Sequence, residues 1–216
     1  MRTQAEKAAV FRALHARPDA FIIPNPWEAG TARLLAALGF EALATTSLGL
    51  ANMLGRSTVS RDEILENCQQ ITAATDLPVN VDLENCGADE PKAAAEAIRL
   101  AAQAGAVGGS IEDATGDPRK PIYDFTLAVE RVQAAVAVAR SLPIPFMLTA
   151  RAENFVAGRT DLDDTIRRLQ AFRGRRSRRA LRTRPQGPRH HPHGGVVGRQ
   201  AGQRGDDSCR PDAKRR

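Results

Sequence analysis

The sequence predicts an α/β fold with a parallel sheet, followed by a segment of a different kind. Two observations carry this. Short apolar runs alternate with helix-period stretches five times over, and strict alternation of strand and helix implies parallel strands joined by right-handed crossovers. Charge then changes abruptly: residues 1–172 carry 17 Lys and Arg against 22 Asp and Glu, whereas residues 173–216 carry 14 against 3. The overall net charge of +6 therefore hides an acidic body and a very basic tail.

The apolar runs are Phe21–Asn25, Ala42–Ser47, Val79–Glu84, Gly108–Asp113 and Pro145–Arg151. They are apolar almost to their last residues, as expected of strands buried on both faces. Helical stretches are expected near 28–38, 60–75, 90–104, 124–141 and 161–172. The third is rich in strong helix formers, with Pro91 at its start and Gly105 past its end, the usual asymmetry of helix termini. The fourth is amphipathic with long apolar spacing.

Polar residues gather where the runs end: Asn25, Ser47, Asp82 with Glu84, Glu112 with Asp113, and Arg151 with Glu153. The carboxyl ends of parallel strands carry the active site in a (β/α)8 barrel and the ligand in an open doubly wound sheet. The spacing leaves both topologies open but puts the site in the same place. Asp82 and Glu84 are two apart and are expected on one side of their strand. Three carboxylates at neighbouring strand ends, with water filling the other positions, suit Mg2+. The alternative is a set of caps and salt bridges.

Three cysteines without metal spacing, no secretory leader and no long apolar run lead to the expectation of a cytoplasmic protein without membrane contact. Cys68 is expected in the core and Cys86 as a small, semi-buried thiol.

The body resembles the isocitrate lyase/phosphoenolpyruvate mutase superfamily, closest to a bacterial branch of uncharacterised activity. The resemblance rests on PNPWEAGTARLLAALGFEALATTSLGLA (24–51), LPVNVDLEN (77–85), GGSIEDATGD (108–117) and TARAENF (149–155). It implies an incomplete (β/α)8 TIM barrel of about five βα units over residues 1–172. It also implies Mg2+ as cofactor and a small α-oxo or α-hydroxy (di)carboxylic acid as substrate, with C–C cleavage through an enolate. By the same resemblance Asp82, Glu84 and Glu112 bind the metal. Trp27, Ser47, Leu48 and Gly49 line the substrate pocket, and Arg151 binds a carboxylate or oxyanion; Arg151 and Glu112 are the catalytic pair. Trp27 has plain core as its alternative, Ser47–Gly49 an ordinary turn, and Arg151 an ion pair with Glu112 or Glu153. Full-length relatives are expected to be homo-oligomers.

Two departures narrow the activity. The stretch Ala114–Lys120 lacks the Cys and His of the isocitrate and methylisocitrate lyase loop. The loop Gly55–Val59 lacks the Asp of the phosphonomutase branch. The remaining readings are a C–C lyase, a truncated non-catalytic relative, a phosphonomutase-type enzyme and a nucleic-acid binder acting through the basic tail. The last would bind sequence-blind and salt-dependently, but the tail has no aromatic residue for stacking.

Residues 173–216 hold 13 Arg and show no helix or strand period, so composition predicts a disordered tail. Shifted by one nucleotide, its codons permit ADVLYAP and KPVNVVM, which read as the sixth and seventh strands of the same barrel. The tail is therefore read as the rest of the barrel out of frame.

Overall fold

A computed structural model describes residues 1–174 and the backbone of 196–200. The elements are α1 (Gln4–Ala16), α2 (Ala29–Ala37), β1 (Leu43–Ala44), α3 (Ser47–Met53), α4 (Arg61–Ala74), β2 (Val79–Asp82), α5 (Pro91–Gln103), β3 (Gly108–Glu112), α6 (Phe125–Ser141), β4 (Met147–Ala152), α7 (Leu162–Phe172) and β5 (Val196–Gln200). β1 to β4 lie side by side in chain order, and each pair is parallel. A doubly wound sheet reverses its strand order at a switch point. Here the order never reverses, so the winding is that of a barrel opened after its early units.

Among the described residues, five of the seven helices fall within a residue or so of their expected bounds, and most of them have a strong start. Ser60 caps α4 through a reciprocal pair with Glu63, Pro91 opens α5, and Asp161 caps α7 through the amide of Asp164. The inner faces of α5 and α6 are built from small residues. Ala94, Ala97, Ile98 and Ala101 face Ala128, Val132, Ala135 and Ala139. Each large aliphatic side chain buried in this layer contributes about 1.5–3 kcal/mol.

Two helices were not expected. α1 packs Ala8, Phe11 and Leu14 against Ala42, Val107 and Met147, which closes the amino-terminal end of the strands. Lys7 is buried beside them and donates to the carbonyls of Thr72 (3.1 Å) and Thr75 (2.6 Å). α3 takes up Ser47–Met53, with Thr46 accepting from the Gly49 amide as its cap, so the second run shortens to β1.

The first expected strand, Phe21–Asn25, is not a strand. It lies beside β1, but the one backbone bond between them runs from the Ala44 amide to the Pro24 carbonyl (3.0 Å). Pro24 and Pro26 have no N–H to extend a ladder. The Asn25 side chain donates to the Ala44 carbonyl instead (2.9 Å). The third run also ends early. β2 stops at Asp82, and Glu84 sits in the left-handed region at φ 49°. The alternation rule expected to align Asp82 with Glu84 therefore does not reach Glu84.

Most of the tail expected to be disordered lies outside the described residues. Within it, Val196–Gln200 is a strand that pairs antiparallel with the outer edge of β4. An open strand edge is a ready template for any extended segment.

Candidate active site

The carboxyl ends of β2, β3 and β4 bring together the charged residues that the sequence singled out. β3 registers Glu112 opposite Arg151 of β4, so the two side chains leave the sheet together. The Arg151 guanidinium lies 3.1 Å from Glu112, 3.6 Å from Asp82 and 2.7 Å from Glu153. Both ion pairs foreseen for Arg151, with Glu112 and with Glu153, are thus present at once. The side chains of Asp82 and Glu112 are each 16% exposed, so the cluster is shielded yet reachable.

Ser47, at the first turn of α3, donates to Asp82 from both its amide (3.1 Å) and its hydroxyl (2.9 Å). The Asp82 amide donates to Thr45 (2.9 Å). In the Ser47–Gly49 stretch expected to line the pocket, the Ser47 amide is thus engaged by Asp82 and the Gly49 amide by the Thr46 hydroxyl (3.2 Å). Leu48 is largely exposed. Trp27 is not plain core: it is 45% exposed and packs directly on α3. A Cβ at Gly49 would lie 2.5 Å from the Trp27 ring, so only glycine lets the indole rest there.

The electrostatics are those of crowded carboxylates. Burial pushes Glu112 up to about 7; Arg151 opposes the shift, and Glu153, Asp82 and Glu84 add to it. Burial also raises Glu84, with the Ser47 hydroxyl opposing and Asp82 adding. Burial alone would weaken the hold of Arg151 on its proton, but Glu112, Glu153 and Asp82 outweigh it and raise the guanidinium further. Among the described residues no three His, Cys, Asp or Glu side chains form a ready-made metal cage. A Mg2+ ion does not need one: it takes one or two carboxylates and keeps several waters. The hard, partly buried oxygens of Asp82, Glu84 and Glu112 are of the kind such an ion takes, more carboxylates than it needs, with Asp82 and Glu112 also engaged by Arg151.

Sequence reasoning missed the supports beneath the cluster. Asp113, next to Glu112, turns away from it. Its carboxylate accepts from the Glu153 amide (2.8 Å) and from Arg168 (2.9 Å), and both ionic side chains are almost fully buried. Arg168 also donates to the Tyr123 carbonyl (2.9 Å) and to Asp164 (2.8 Å). Arg131, 2% exposed, donates to the carbonyls of Asn85, Ala88 and Asp89 and lies 4.4 Å over the Tyr123 ring. It thereby fixes the turn that carries Glu84. Apart from the local Arg168–Asp164 pair, these contacts span about 40 to 55 residues of chain, so no local pattern announces them. Cys86 and Cys68 are both fully buried, and burial pushes each thiol up to about 12. Neither is a nucleophile at neutral pH.

The family model for phosphoenolpyruvate phosphomutase matches residues 11–174. A protein of Burkholderia cenocepacia J2315 assigned to the lyase/mutase class is 61% identical. Its crystal structure superposes with a TM-score of 0.77, over 79% of this chain and 62% of that one. A second protein of the same organism, assigned as a phosphonomutase, is 34% identical with a TM-score of 0.72, over 78% and 70%. The 2-methylisocitrate lyase of Salmonella typhimurium LT2 is 31% identical over 175 residues, which is 75% of this chain and 57% of the enzyme. The chain spans about 60% of the length of such relatives. No helix among the described residues is long and apolar enough to cross a membrane. The motifs, the winding of the sheet and these matches together place the chain in the phosphoenolpyruvate phosphomutase family, within the isocitrate lyase/PEP mutase superfamily.

Proposed function

We propose that residues 1–172 form the front part of the active site of a Mg2+-dependent carbon–carbon lyase, whose substrate is a small α-oxo or α-hydroxy (di)carboxylic acid. The observation that carries the reading is the convergence of Asp82, Glu112 and Glu153 on one guanidinium, that of Arg151. Asp82, Glu84 and Glu112 would hold the metal, which when bound supplies positive charge against the α-oxo acid. Arg151 offers a planar fork that matches a carboxylate or an oxyanion. Glu112 orients that fork, and Ser47 holds Asp82 in place. Trp27, seated on Gly49, would line one side of the pocket. Cleavage of a C–C bond sends its electron pair toward the α-oxo acid end, where Arg151 stabilises the developing charge. The buried thiols of Cys86 and Cys68 take no part.

A second reading, a non-catalytic truncated relative, is favoured by the outer edge of β4. A (β/α)8 barrel continues there with a parallel strand, whereas Val196–Gln200 runs antiparallel. On this reading residues 173–216 are the remainder of the barrel out of frame. One experiment separates the two: release of an α-oxo acid, with and without Mg2+, by the 216-residue chain and by a frame-corrected version. Activity in both supports the lyase as it stands, and activity in the corrected chain alone supports the second reading. A metal-independent rate in both, unchanged in Arg151→Ala, would sink the proposal.

A further inference from the structure

The turn after β2 does what the strand would have done had it run on. β2 ends at Asp82, yet the Glu84 carboxyl still meets the Ser47 hydroxyl and the charges of Asp82 and Arg151. It gets there by a left-handed turn. Glu84 is at φ 49°, Cys86 at 66° and Gly87 at 75°. Among the described residues, Glu84 and Cys86 are the only non-glycines with positive φ. Such backbone costs free energy and persists only where its surroundings hold it.

Arg131 of α6 supplies the hold. It is 2% exposed and donates to three carbonyls of this one turn, those of Asn85, Ala88 (2.5 Å) and Asp89 (2.6 Å). Among the described residues it forms no ion pair; the carbonyl dipoles and the Tyr123 ring, 4.4 Å away, stand in for a carboxylate. The Tyr123 hydroxyl in turn donates to the Asp89 side chain (2.7 Å), at the far end of the turn. At the near end, the Glu84 carbonyl accepts from the Glu112 amide (2.9 Å). The held turn therefore joins the backbones of two carboxylates assigned to the metal. A buried guanidinium without a carboxylate is a poor source of stability. The partners that orient a metal ligand are a common place for such a group.

We infer that Arg131 is a positioning residue: by gripping three carbonyls it presets the Glu84 carboxyl toward Asp82 and Ser47, and so sets the affinity of the site for a divalent cation. The inference rests on the Mg2+ site given under the proposed function. Tyr123 assists by holding Asp89.

The test is a calorimetric titration of the 216-residue chain with Mg2+, beside the melting temperature of each variant. Arg131→Met is expected to weaken Mg2+ binding by the folded chain about ten- to a hundredfold, the range for partners of metal ligands. Arg131→Lys, with fewer donors, is expected to recover part of that loss, and Tyr123→Phe to show a smaller one. Because Arg131 acts through Glu84, the double variant is expected to bind no more weakly than Glu84→Ala alone. Phe11→Ala, at the other end of the strands, is the control: it lowers the melting temperature and leaves Mg2+ affinity unchanged, as a merely structural role at Arg131 would. Affinity unchanged in Arg131→Met, or a further loss when it is added to Glu84→Ala, overturns the inference and leaves the metal site standing. If Arg131→Met does not fold, unchanged affinity in both Arg131→Lys and Tyr123→Phe overturns it in the same way. No Mg2+ binding by the parent chain, or binding indifferent to Glu84→Ala, overturns the metal site and the inference with it.

Discussion

The two ends of the same four strands are built to opposite rules. At the amino-terminal end, α1 lays Phe11 and Leu14 on Ala42, Val107 and Met147, and the polar groups there are tied down: Lys7 to two carbonyls and Gln4 to the carbonyls of Ala102 and Ala106. At the carboxyl end, Asp82, Glu84, Glu112 and Glu153 crowd around one arginine, and burial drives Glu84 and Glu112 toward their protonated forms. One end gains stability from burial. The other holds like charges together at a cost, as sites that bind cations or stabilise charge do.

The largest effect is expected at the apolar end. Phe11→Ala should cost about 3–5 kcal/mol, as for other buried aromatics, measured by urea unfolding, with Mg2+ binding unchanged in whatever fraction stays folded. A loss below about 1 kcal/mol would show that α1 does not close the barrel floor. At the charged end, Glu112→Gln should change stability by less than about 1 kcal/mol, because it removes a carboxylate that burial and its neighbours already disfavour. On the proposed function Mg2+ should raise the melting temperature of the parent chain, and the same variant should abolish that rise. A large destabilisation by Glu112→Gln, or a Mg2+ response that survives it, would break the contrast between the two ends.

The smallest effect sharpens the floor itself. Thr3 and Glu6 form the capping box of α1, and hydrogen bonds from Thr3 hold Glu6 below its ordinary value of 4.5. A carboxylate with a depressed folded pKa contributes stability that is complete above pH 4.5 and lost as pH falls through the lower folded value. Thr3→Ala should cost about 1 kcal/mol at neutral pH. It should cost less in acid, once Glu6 is protonated in both chains. Equal cost at both pH values would show that the Glu6 half of the box contributes nothing.

What was legible in the sequence follows from range. α2 and α4 to α7 announce themselves because their caps and formers lie within a few residues of one another. α1 hides because its inner stripe begins with Lys7, a residue that reads as solvent-facing until two distant carbonyls claim it. α3 hides because seven residues with a glycine in the middle do not make a helical signal. Phe21–Asn25 reads as a strand on its apolar content, but its prolines deny it a ladder. At the site, Asp82, Glu112 and Arg151 were visible because strand ends collect function. Arg168, Arg131 and the inward turn of Asp113 were not. Each acts on a partner about 40 or more residues away, and only the folded chain brings the two together.

The order of the strands has a consequence for synthesis. Since β1 to β4 are neighbours in the order in which a ribosome releases them, each new strand arrives beside one already in place. Chains fold from the amino terminus during translation, so a nascent polypeptide of this kind can settle four strands before later codons are read. α7 ends at Phe172, where the charge of the chain changes sign, so a shift of frame there, as the second reading proposes, would fall at a seam between units and cut through none of them. Such a shift would leave the completed units with their mutual contacts and take away only the closure.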